Sequence, residues 1–209
     1  RSCGWAGPVG GPVLWVGRSC GWNSVPMDPI DQIAELFASE GAAEYLGEPV
    51  TQAEHMLQAA SLARDAGATP ALVAACLLHD VGHFHGALRG RDLMTGKDNR
   101  HDEVGATWLA QWFAKDVTEP VRLHVAAKRY LCRIEPEYLS SLSPASVFTL
   151  SVQGGPMSAE EAAAFSRLQY ASDALSLRRF DEQAKDPSYS CLELTAFLPL
   201  LEGLIRRAN

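Results

Sequence analysis

The chain has 209 residues, 47% of them hydrophobic, with a formal net charge of -7 and five cysteines. That size and apolar content suffice for one substantial core, and the acidic balance argues against a nucleic-acid partner, which needs a concentrated positive surface. No run approaches the roughly 20 apolar residues of a membrane span, so no membrane association is expected, and Cys3, Cys20, Cys76, Cys132 and Cys191 form no C-x-x-C pair, which fits a reducing cytoplasm.

At the amino end Arg1-Ser-Cys-Gly-Trp5 recurs as Arg18-Ser-Cys-Gly-Trp22. Residues 1–26 are therefore expected to be a non-native or disordered leader, an artefact of upstream translation, and residues 27–209 to form a single domain that starts at Met27. From Asp28 onward the chain reads as successive helices. Thr51-Gln-Ala-Glu54 is a capping-box pattern, and Thr69-Pro70 places a cap ahead of a proline at the first helical position. Met56, Ala59, Ala60 and Ala63 then share one helical face, and Leu72, Ala75, Cys76 and His79 another, so the two helices are expected to pack together.

Trp108, Leu109, Trp112 and Phe113 supply the apolar face of the next helix, and Glu119-Pro120 reads as the start of the helix that carries His124. A short extended piece is expected over Val147 to Val152, ending at Gly154-Gly155-Pro156. Ser158-Ala-Glu-Glu161 repeats the capping box. With nothing else resembling a sheet, the fold class is all-α.

The six histidines, at 55, 79, 83, 85, 101 and 124, carry the chemical signal. His79 and Asp80 stand at the end of an apolar helix, where a charge is costly without a metal or partner. A carboxylate beside a histidine can bridge two metal ions, and His55, His101 and His124 on other helices can converge on it in a helical bundle. Imidazole and carboxylate ligands suit iron, manganese, nickel, cobalt or zinc without choosing among them. His85 reads as a core or solvated-loop residue.

His55, then His79-Asp80, then a distal Asp181, resembles the H…HD…D signature of the HD superfamily. The likeness extends through Tyr45-Leu-Gly-Glu48, Gln52-Ala-Glu-His55, Leu78-His-Asp-Val-Gly-His83, His101-Asp-Glu-Val-Gly-Ala106, His124-Val-Ala-Ala-Lys128, Leu142-Ser-Pro-Ala-Ser146, Gln153-Gly-Gly-Pro-Met-Ser158 and Leu177-Arg-Arg-Phe-Asp181. Over Ala43 to Lys185 the chain resembles the PhnZ-type phosphonate oxygenases, and less closely the myo-inositol oxygenases, which share mixed-valent di-iron chemistry.

The resemblance implies an HD-domain helical bundle with two iron ions, Fe(II)/Fe(III), and dioxygen as co-substrate. His55, His79, Asp80 and Asp181 would bind one iron. Asp80 would bridge to the second, completed by His101 and His124, with Tyr45 in its last position until substrate displaces it. Glu48 would assist that gate and meet the substrate's amino end. His83 would sit at the substrate, and Lys128, Arg178 and Ser146 would meet the phosphonate, with Ser143 a weaker candidate. Arg178 or Arg179, and Asp181 or Asp173, are left as alternatives by the residues themselves.

The implied reaction is oxidative cleavage of the C–P bond of a 1-hydroxy-2-aminoethylphosphonate-type substrate, with a free or N-methylated amine. Its products would be inorganic phosphate and glycine or a glycine-betaine-like acid. The partner is thus a small organophosphonate; oligomeric state is left open, a homo-oligomer among the readings. The alternative reaction class is a metal-dependent HD phosphohydrolase acting on a phosphate ester, which needs the same histidines but no tyrosine gate.

Overall fold

Several helix starts are fixed by side chains that satisfy free backbone N–H groups. In the computed structural model, which describes residues 27–39, 48–84 and 100–206, Thr51 Oγ1 accepts from Glu54 N and the Glu54 carboxylate accepts from Thr51 N. Thr69 caps the next helix through Leu72 N, and Ser158 and Glu161 repeat the capping box. Each is a short-range device, worth about 1 kcal/mol.

Among the described residues there are ten α-helices and no strand. They are α1 Pro29–Phe37, α2 Gln52–Asp65, α3 Pro70–Leu78, α4 His101–Leu109, α5 Lys115–Ile134, α6 Pro136–Ser141, α7 Pro144–Val152, α8 Ala159–Phe165, α9 Ala171–Gln183 and α10 Leu198–Leu204. Two 3-10 turns, Val81–His83 and Leu194–Ala196, complete the set. The all-α class read from the sequence is what the chain adopts. No helix among the described residues is long and apolar enough to cross a membrane.

Helix α3 is buried all round, from Ala71 to Leu78, because α2, α5, α9 and α10 all pack on it. A helix apolar on every side belongs in the middle of a bundle. Met56, Leu77 and Leu78 are wholly buried there, each contributing about 1.5–3 kcal/mol. This placement carries the end of α3, and with it His79 and Asp80, into the interior.

Three local expectations differ from the structure. Val147 to Val152 is the last part of helix α7, not an extended piece. Ser143 caps it through Ser146 N, Pro144 takes the first position, and burial of Ser146 and Leu150 outweighs the extended preference of its β-branched residues. The helix carrying His124 starts at Lys115, with Pro120 inside it. Val117, Pro120 and Val121 are buried, so packing compensates for the donor that proline lacks. Helix α4 ends at Leu109, so Trp112 and Phe113 follow in a turn; Phe113 is buried, and Trp112 packs edge-on against Trp108.

Candidate metal centre

Four helices deliver the histidines. His55 stands on α2, His79 caps α3, His101 opens α4 and His124 lies in α5, and all four are buried. His55, His79 and Asp80 offer ligand atoms within 4.8 Å of one another, and Asp80, His101 and His124 do the same. Asp80 divides its oxygens between the two groups: Oδ2 lies 3.4 Å from His79 Nε2 and 3.7 Å from His55 Nε2, Oδ1 3.4 Å from His101 Nε2 and 3.7 Å from His124 Nε2. Gln52, one turn before His55 on α2, donates to Asp80 Oδ2 at 2.9 Å and orients that carboxylate.

Ring tautomers follow from the backbone. His55 Nδ1 lies 2.8 Å from Ala184 O, His79 Nδ1 2.8 Å from Cys76 O and His124 Nδ1 2.7 Å from Val121 O. A carbonyl only accepts, so each Nδ1 carries the proton and each Nε2 presents a lone pair. Yet His55 Nε2 is 3.1 Å from His79 Nε2, and His101 Nε2 is 3.0 Å from His124 Nε2. For His55 and His79, both protonated at Nδ1, neutral rings put two Nε2 lone pairs face to face, which repel unless a cation lies between them. Two nitrogens bound at about 2.1 Å to one ion, at right angles, stand about 3.0 Å apart. The donor set therefore fits a pair of metal ions sharing the Asp80 carboxylate.

Charge agrees with that fit at Asp80, His101 and His124, whereas at His55 burial is outweighed by the Asp181 and Asp80 carboxylates, which raise the ring's pKa. Burial would raise the Asp80 carboxyl, but the surrounding rings of His79, His83, His101 and His124 hold it well below the usual carboxylate range. Burial pushes His124 down to about 4, and burial with the neighbouring His83 pushes His101 well down, which favours the neutral imidazole form that binds metal. His83 stacks on His101, centroids 4.1 Å apart, with Nε2 3.8 Å from Asp80 Oδ1.

Asp181, on α9, is buried with Oδ1 3.4 Å from His55 Nε2 and Oδ2 3.9 Å from His79 Nε2; Asp173 is half-buried. Of the arginine pair, Arg178 turns inward and Arg179 stays exposed against Glu135. Arg178 pairs with Asp181 and Glu182 and donates to the Tyr138 hydroxyl at 2.8 Å. Ser146 lies 3.4 Å from Arg178 Nη2. Lys128, one turn after His124, is buried and donates to Thr149 Oγ1 at 2.9 Å. Burial, with Arg178 and Lys185 nearby, pushes it down to about 7. Glu48 accepts from Ser143 Oγ and forms an ion pair with Lys185 at 3.2 Å.

These residues form one continuous region from the histidines through Asp181 to Glu48. Tyr45 and His85 lie outside the described residues. Sequence reasoning gave no role to Gln52, Thr149, Glu182 or Lys185. Gln52 carried a usable signal, being one turn from His55 on its helix.

A model of the HD domain matches residues 53–175. The chain is 40% identical over 176 residues to the [1-hydroxy-2-(trimethylamino)ethyl]phosphonate dioxygenase (glycine-betaine-forming) of Leisingera caerulea, covering 84% of this chain and 90% of that one. It is 41% identical over 167 residues to the hydroxymethylphosphonate dioxygenase of Gimesia maris, covering 78% and 81% respectively. Because the family match takes in α2, α3, α4 and α5, the helices that bring His55, His79, Asp80, His101 and His124 together, the chain belongs to the HD domain family.

Proposed function

We propose that the protein is a di-iron oxygenase that cleaves the C–P bond of a 1-hydroxy-2-aminoethylphosphonate-type substrate, with a free or N-methylated amine. The products are inorganic phosphate and glycine or a glycine-betaine-like acid. Dioxygenase relatives along most of the chain support this reading. The observation that carries it is the division of Asp80 between two histidine pairs, one oxygen to each.

His55, His79, Asp80 and Asp181 would hold one iron, and Asp80, His101 and His124 the other, with Tyr45 completing the second until substrate displaces it. Bound there, two irons supply Lewis acidity and the electron exchange that dioxygen reduction needs. In the overall balance one oxygen atom of O2 ends in the carboxylate and the other in phosphate, and one proton is released.

The chain's own groups fix the substrate. Lys128, Arg178 and Ser146 form the phosphonate end: two cations and a hydroxyl, buried together, neutralise and orient a dianion. Arg178 is itself held by Asp181, Glu182 and Tyr138, so its guanidinium is pre-set. His83 presents a ring nitrogen beside Asp80, where it holds the proton of the 1-hydroxyl. Glu48 marks the amino end. Burial of the whole set keeps water from the reacting carbon.

The test is oxygen uptake measured together with phosphate release on iron-loaded protein with a panel of 1-hydroxyphosphonates. Equimolar oxygen consumption and phosphate release are expected. Phosphate released with no oxygen consumed would instead establish the phosphohydrolase.

A further inference from the structure

Lys185 follows α9 by two residues and belongs to no recognised motif, yet its side chain is only 9% exposed. Its ammonium lies 2.8 Å from Ser146 Oγ, 3.3 Å from Ser143 Oγ, 3.0 Å from Glu182 Oε1 and 3.2 Å from Glu48 Oε1. Glu182 also accepts from Ser143 N and Ser146 Oγ and pairs with Arg178. Lys185 is thus anchored from the α9 side whether or not Glu48 stays with it.

On the phosphonate oxygenase reading Glu48 marks the substrate's amino end, whereas Glu182 is already held by Arg178, Ser143 and Ser146; the Glu48 side chain is 5% exposed. Lys185 already neutralises it. A substrate ammonium arriving there must share one carboxylate between two cations in a poorly solvated site, where like charges repel strongly. A 1-hydroxyphosphonate without a cationic amine meets no such repulsion. The two relatives' names place them on opposite sides of this distinction, one acting on a trimethylamino compound and the other on hydroxymethylphosphonate.

Resting on the phosphonate oxygenase reading, we propose that Lys185 is a specificity-determining residue: by competing with a substrate ammonium for Glu48, it shifts preference toward 1-hydroxyphosphonates that lack a cationic amine. Lys185 also adds positive potential near the phosphonate. That contribution is common to every substrate and cancels in a ratio.

The experiment compares dissociation constants of hydroxymethylphosphonate and [1-hydroxy-2-(trimethylamino)ethyl]phosphonate, measured by calorimetry on iron-loaded protein without oxygen. Lys185→Gln, which keeps hydrogen bonds to Glu182 and Ser146, is expected to improve the ratio in favour of the trimethylamino compound by about tenfold or more. Lys185→Arg should leave the ratio near wild type. In a Glu48→Gln background, Lys185→Gln should no longer move it, which separates competition for Glu48 from a structural effect. A ratio unchanged by Lys185→Gln, or changed equally in both backgrounds, overturns the role of Lys185 while leaving the oxygenase reading intact. Failure of wild-type protein to bind either compound, with no oxygen uptake on either, overturns both.

Discussion

The Nε2 atoms of His55 and His79 stand 3.1 Å apart while both Nδ1 protons are committed to backbone carbonyls, so between neutral rings neither Nε2 has a proton to share. His124 likewise commits its Nδ1 proton to Val121 O and turns Nε2 toward His101 Nε2 at 3.0 Å. Protein expressed with iron is therefore expected to carry two ions per chain, and chelation to lower its melting temperature. Each ion present at about a hundred times its dissociation constant stabilises the fold by roughly 2.7 kcal/mol. His101→Ala should retain one ion and Asp80→Ala should lose the pair, as elemental analysis would read. A chain that holds no metal and melts identically with and without chelator would remove the basis for both.

Gly82 and His101 set the spacing between the halves of the centre. A Cβ on Gly82 would lie 1.9 Å from His101 O, 2.7 Å from His101 C and 2.8 Å from Gly105 N, all backbone atoms that cannot step aside singly. Gly82→Ala must push α4 away from the Val81–His83 turn and take His101 with it. The expected cost is about 3 kcal/mol or more, with the His101 and His124 ion lost before the other. Metal content against denaturant midpoint checks this; a variant with wild-type metal content and stability refutes the close packing.

Legibility in the sequence followed the range of the interaction. The starts of α2, α3 and α8 were readable because Thr51, Thr69 and Ser158 act on backbone three residues away. The start of α5 was not, because burial of Val117 and Val121 overrides the proline signal at Pro120. His79-Asp80 was readable as an expensive charge ending an apolar helix, and the likeness to phosphonate oxygenases supplied Asp181, Lys128 and Arg178. Lys185 and Glu182 were not legible, since a lysine beyond a helix end and an acid one turn from an arginine read as solvated surface. Only the fold of α7 and α9 around Ser146 buries them.

Arg178 ties together the buried side chains of Asp181, Glu182 and Tyr138. Replacing it with Met leaves Asp181 and Glu182 buried without their cation and the Tyr138 hydroxyl without its donor. A loss of about 3–5 kcal/mol is expected in urea unfolding, whereas Arg179→Met, at an exposed pair with Glu135, should cost less than about 1 kcal/mol. Equal effects of the two would contradict the burial that separates them.

Lys128 gives the proposed phosphonate site a pH signature. Burial, then Arg178 and Lys185, bring its pKa from 10.5 to about 7, while Asp181 and Glu182 oppose the shift. Because the folded value is the lower one, the unfolded chain binds a proton that the folded chain lacks between the two values. The stability contribution therefore grows as pH rises from about 7 toward 10.5 and is flat below about 7. A phosphonate dianion beside Lys128 reverses this by favouring the charged ammonium, so binding at about pH 8.5 should draw in up to one proton. Calorimetry in buffers of different ionisation enthalpy reads that uptake directly. Lys128→Met should abolish the uptake and weaken phosphonate binding roughly a hundredfold; an unchanged proton uptake would place the phosphonate away from Lys128.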